Sequence, residues 1–134
     1  MNRIQTLLSL AKEELYAAEI LWENTLYRAC ISRAYYALYY TIQALLAAKN
    51  VNTRTHRGLI QQFGQQFIKT GELSQNLSRT LSETFDLRQL SDYDETIPIT
   101  QQQAGKTLEN AKLFISEATK WGSSGIVMQI INLK

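Results

Sequence analysis

Apolar residues recur along this chain at the three- and four-residue steps of a helix, and they do so in five separate runs. Ile4, Leu7, Leu8, Ala11, Leu15, Ala18 and Trp22 form one stripe, predicting a helix from about Asn2 to Glu23. Asn24 and Thr25 break it, and a second helix is expected from Leu26 to about Lys49. This one is apolar on more than one face, with Leu26, Cys30, Ala37, Tyr40 and Ala44 on one side and Ile31, Leu38, Ile42 and Leu45 on another. Such a helix belongs at the centre of its fold. Thr55 is a candidate cap for a third helix from His56 to about Lys69, built on Leu59, Ile60, Phe63 and Phe67 and ended by Gly71. Gly58 and Gly64 inside it imply close packing there. Ser74 opens a fourth helix on Leu77, Leu81 and Phe85. After a loop fixed by Pro98, Thr100 caps a fifth, running to Trp121 on Ala104, Leu108, Ala111, Ile115 and Ala118, with Gly122 as its stop. The pattern predicts one all-α domain over residues 1–121 and a short apolar tail over 122–134.

Polar residues intrude on these stripes at a few places. The fourth stripe runs from Phe85 directly into Arg88 and then Asp92, at the next helical steps. A guanidinium on a core-facing side is costly unless something meets it, and a carboxylate is disfavoured near a helix C-terminus. Together they mark a candidate site, or a pair that only satisfies itself. Arg33 lies on an apolar face of the second helix beside Tyr35 and Tyr36, and His56 shares the line of Leu59 and Phe63. A histidine so placed is a core or capping residue, or a catalyst.

Composition narrows the chemistry. With 45% apolar residues, one proline and 134 residues, the chain can bury a real core. A single cysteine among alanines and isoleucine reads as a buried, inert thiol, suited to a reducing cytoplasm. With one histidine as well, no His- or Cys/His-based metal cluster can form, although carboxylates alone could take a transient divalent ion. No resident cofactor and no membrane segment are expected. The net charge is only +2, but between Asn24 and Ser82 seven basic residues face a single acid, Glu72. That asymmetry permits a polyanion partner on Arg28, Arg33, Arg54, Arg57 and their neighbours, or is an ordinary solvated surface complementing acidic ends.

Three segments together carry a family resemblance: Arg33-Ala34-Tyr35-Tyr36-Ala37, Thr55-His56-Arg57-Gly58, and Phe85-x-x-Arg88-x-x-x-Asp92-Tyr93-Asp94. From about Leu8 to Lys120 the chain resembles the HEPN family, in a prokaryotic branch related to toxins paired with minimal nucleotidyltransferases. The resemblance implies an antiparallel up-and-down bundle of four to five helices, often a symmetric homodimer. It also implies a metal-independent endoribonuclease, neutralised by a nucleotidyltransferase antitoxin. The family's active motif is an arginine followed four to six residues later by a histidine, shared between subunits at one cleft. Arg88 takes the arginine's place as phosphate binder, but Tyr93 stands where the histidine is expected and no histidine follows. His56 is then the one imidazole that can serve. Arg88, Asp92, Tyr93 and His56 are the candidate catalytic set, with Arg33, Tyr36, Arg54 and Arg57 as candidate substrate-binding residues. Three functions are compatible with these residues: a ribonuclease toxin, a non-catalytic nucleotide- or RNA-binding module, and a structural bundle in which Arg88 and Asp92 only set register.

Overall fold

The computed structural model describes residues 2–123, and among them it contains five helices and no strand. The predicted tail lies almost wholly outside the described residues. Helix α1 (Arg3–Glu23) starts at Asn2, whose side chain accepts from the Gln5 backbone at 2.8 Å while Gln5 answers at 3.2 Å. This reciprocal box satisfies two of the donors that a helix start leaves open. Asn24 and Thr25 (φ 64°) turn the chain into α2 (Tyr27–Ala48).

Twelve of the 22 residues of α2 are buried, among them Tyr35, Leu38, Thr41 and Leu46, so this helix is the axis of the fold. Helix α1 packs antiparallel to it. The ion pair of Arg33 with Glu14, 2.9 Å, ties the two together at their solvent edge. After α2 the chain doubles back over Asn50–Thr55, which brings His56 beside Tyr35 and Tyr39 in mid-helix. Helix α3 (His56–Phe63) then runs in the same sense as α2, and the chain just beyond it meets Lys49 through the Gln66 carbonyl. Helix α4 (Gln75–Tyr93) returns, with Ser91 reaching Arg28 at the start of α2. Helix α5 (Gln101–Ser123) rises again beside α1 and α2. The all-α bundle expected from the stripes is therefore present.

Three details differ from the periodicity. The third helix does not stay α-helical to Lys69: over Gly64–Ile68 it widens into a π turn, closed by Lys69 N donating to Gly64 O at 2.9 Å. The Gln66 carbonyl there accepts from Lys49 Nζ and, at 3.2 Å, from Thr70 Oγ1, which stabilises the wider turn. On α5 the fully buried aromatic is Phe114, one residue before the predicted Ile115. Gly122 does not stop α5, which carries through to Ser123.

The glycines of α3 divide. A Cβ on Gly58 would lie 2.9 Å from Thr55 Oγ1, the atom that caps the helix by accepting from Gly58 N at 2.9 Å. Nothing lies within 4 Å of a Cβ on Gly64, so packing explains the first and not the second.

Candidate functional site

The centre of α2 carries Tyr35, Tyr36, Tyr39 and Tyr40 on successive turns, and the doubled-back connector lays His56 on this aromatic surface. The His56 ring lies 4.8 Å from Tyr39, 5.5 Å from Tyr35, 6.2 Å from Tyr36 and 6.4 Å from Phe85 of α4 (centroid distances). Its Nδ1 is 2.6 Å from the hydroxyl oxygen of Tyr35, a fully buried residue. Burial first, and then the Arg88 guanidinium, hold the imidazole below its ordinary pKa, so it is neutral at physiological pH. Burial likewise raises the Tyr35 phenol, which stays protonated.

Arg88 enters the same cluster from α4. Its Nη2 donates to the Tyr36 hydroxyl at 3.2 Å, and Cζ stands 5.1 Å and 5.0 Å from the Tyr35 and Tyr36 ring centroids. Only 20% of the side chain is exposed. Its partner Asp92 is 51% exposed, and the pair is loose: Nε lies 3.5 Å from Oδ2 and, although buried, forms no hydrogen bond. Arg33 reaches the Tyr36 ring as well, with Cζ 5.1 Å from the centroid. Two guanidiniums thus border one tyrosine ring, a favourable place for cations. Asp86, Arg88, Gln89, Leu90, Asp92 and Tyr93 line a shallow groove that opens from Arg88 to solvent.

Of the eight candidate residues, five converge. Arg88, His56, Tyr36 and Arg33 share the tyrosine cluster, and Asp92 flanks it. Tyr93 does not reach it: at 93% exposure it projects into solvent at the groove's rim. Five residues advance a helix by about 140° beyond a full turn, so Tyr93 faces away from the side that carries Arg88. Arg54 and Arg57 are exposed around His56 and form no ion pair among the described residues.

The basic span does not act as one patch. Arg33 pairs with Glu14 and Lys49 with Glu72, at 2.7 Å. Arg28 is turned inward, donating to the carbonyls of Ser91 and Ile97. Two participants escaped the sequence reading. Tyr35 stands in the Arg33–Ala37 segment of the resemblance but outside the candidate set, and its link to His56 spans 21 residues and a doubled-back connector. Arg28 looked like surface charge. Cys30 is buried, with its thiol pushed up to about 11, which fits an inert role. No group of His, Cys, Asp and Glu among the described residues could hold a metal. No helix among them is long and apolar enough to cross a membrane.

The model of the HEPN domain matches residues 4–121 of this sequence, a span that contains all five helices almost whole. The chain belongs to the HEPN family. Its relatives include two proteins of Methanocaldococcus jannaschii. The one named "Putative toxin MJ0605" is 38% identical over 119 residues, covering 89% of this chain and 88% of that protein. The one named "Putative toxin MJ0142" is 34% identical over 120 residues, with 90% and 82% covered. A UPF0332 protein of Thermotoga maritima is 30% identical over 110 residues, with 82% and 83% covered. The tyrosine cluster lies inside the matched span.

Proposed function

We propose that this chain is a HEPN toxin that engages RNA at the Arg88 cluster and cleaves it without a metal, with Arg88 stabilising the phosphate as charge builds on it. The observation that carries this is the state of Arg88. Its guanidinium is permanently charged, is largely buried, is met only loosely by Asp92 at 3.5 Å, and borders a groove open to solvent. In this reading a phosphodiester oxygen arriving through the groove is the stronger charge partner for that guanidinium. The toxin names of the relatives point the same way. Arg33 and Arg88 border the same Tyr36 ring, and in this reading the exposed Arg54 and Arg57, which flank His56 in the chain, meet further phosphates. In this reading the protein works in the cytoplasm as a homodimer, with exposed Leu90 and Tyr93 beside the groove as apolar surface for the second copy, and a minimal nucleotidyltransferase is its antitoxin. The test is cleavage of RNA by purified protein in a chelator. Wild type cuts, and Arg88→Ala loses at least about 100-fold, as when one oxyanion donor is removed. No cleavage by wild type, or equal cleavage by Arg88→Ala, rejects the catalytic reading.

Two observations favour a second reading, a non-catalytic RNA- or nucleotide-binding module. Tyr93, which occupies the position of the motif histidine, stands in solvent away from the cluster, and the Nδ1 of His56 is already engaged by Tyr35. RNA bound through Arg88 and never cut would select it.

A further inference from the structure

We propose that Tyr35 is a positioning residue that fixes His56 as a hydrogen-bond donor through Nε2–H, and that this donor and the Arg88 guanidinium hold one phosphate group between them. The ligand half of this proposal rests on the RNA-phosphate reading above.

Tyr35 is fully buried, and His56 Nδ1, 2.6 Å away, is the one hydrogen-bond partner its hydroxyl has among the described residues. A phenol is a stronger acid than a neutral imidazole N–H, and an imidazole lone pair accepts far better than a phenol oxygen. A reversed bond would also leave a buried hydroxyl proton with no acceptor. The proton is therefore donated from Tyr35 to Nδ1. A neutral imidazole carries one N–H, so that proton sits on Nε2.

Nε2 faces away from Tyr35 and forms no hydrogen bond among the described residues, on a ring that is only half-buried. Tyr39, Tyr36 and Phe85 surround the ring and restrict its rotation. Arg88 borders the same Tyr35 and Tyr36 rings. Nε2–H of His56, a donor with no acceptor among the described residues, and the Arg88 guanidinium, met only loosely by Asp92, thus stand at one aromatic cluster. With its lone pair committed to Tyr35, His56 is unsuited to take a proton from a ribose hydroxyl. It is suited to polarise a phosphate oxygen, as neutral imidazoles do elsewhere.

His56 is the single histidine, so the imidazole ¹⁵N spectrum of the full chain reports one ring. The expected spectrum has a protonated Nε2 and an unprotonated Nδ1. Tyr35→Phe removes the bond that favours the neutral ring, so the His56 pKa rises and the tautomers mix. Inorganic phosphate, and separately a short single-stranded RNA, shift the Nε2–H resonance. His56→Ala weakens RNA binding about 10- to 100-fold, the span of a hydrogen bond to a charged group. His56→Gln, which restores an N–H donor, recovers most of that loss. A protonated Nδ1, a lowered pKa in Tyr35→Phe, or a His56→Gln variant no better than alanine would overturn the proposal. RNA binding that needs Arg88 but leaves Nε2–H unmoved overturns this proposal alone. Inorganic phosphate bound at Nε2–H by a protein that ignores RNA overturns the proposed function and leaves this one standing.

Discussion

Replacing Arg28 by alanine tests whether the end of α4 is held in place from α2. The guanidinium donates to the carbonyls of Ser91 and Ile97, with Ser91 Oγ at 3.3 Å and Glu95 O at 3.4 Å as weaker partners. Ser91 is buried, and its carbonyl belongs to the last turn of α4, where no backbone N–H of the helix can meet it. A hydrogen bond from a charged donor contributes about 1.5–3 kcal/mol when desolvated. Arg28 is half-buried, so about 1 kcal/mol for each of the two main bonds is the better figure. Loss of both, with an orphaned buried carbonyl, should cost about 2–3 kcal/mol. For a domain of this size that lowers Tm by roughly 8–12 °C. Calorimetry measures the shift, and hydrogen exchange should show the amides of Ser91–Thr96 losing protection ahead of the α2 core. A Tm within about 2 °C of wild type and unchanged exchange there would refute the clamp. The turn that presents Asp92 and Tyr93 would then be held by something else.

Two glycine substitutions in α3 should act in opposite directions. Gly64→Ala places a Cβ in open space at helical dihedrals (φ −59°, ψ −46°) and should stabilise by about 0.5–1 kcal/mol. Gly58→Ala drives a Cβ to 2.9 Å from the capping oxygen of Thr55 and should lose that gain plus about 1 kcal/mol of cap; equal Tm changes would contradict this. Stability should also fall with acid in two steps. Folded His56 titrates below its ordinary value near 6.5, so the unfolded chain binds more protons under pH 6.5, and stability declines as pH drops from there. The Lys49 hydrogen bond, with help from Thr70 and Trp121, holds Glu72 below its ordinary 4.5, so its contribution is present above pH 4.5 and lost beneath it. Chemical denaturation across pH should show His56→Gln lacking the first step and keeping the second; a first step that persists assigns it to another group.

Much of this architecture could be read from the chain. The stripes of α1, α2 and α4 are regular, Asn2 and Ser74 mark the starts of α1 and α4, and Gly71 marks the end of the third helical run, because burial and capping act locally. The π turn was not legible, because it depends on Lys49 and Thr70 meeting the carbonyl of Gln66. The site was half legible. Arg88 stood out because a permanent charge interrupts an apolar stripe, and helical rotation alone would have turned Tyr93 away from it. The bond from Tyr35 to His56 had no local signature. It exists because Asn50–Thr55 carries the chain back along α2, a choice made by tertiary packing.

The role of Arg88 is tested most directly by the affinity of this chain for single-stranded RNA, measured for wild type and Arg88→Ala across a range of salt. If Arg88 holds a phosphate, the variant binds at least about tenfold more weakly. Its dependence of log affinity on log salt should also be shallower by about 0.7. Wild type and variant with the same affinity and the same slope would contradict it.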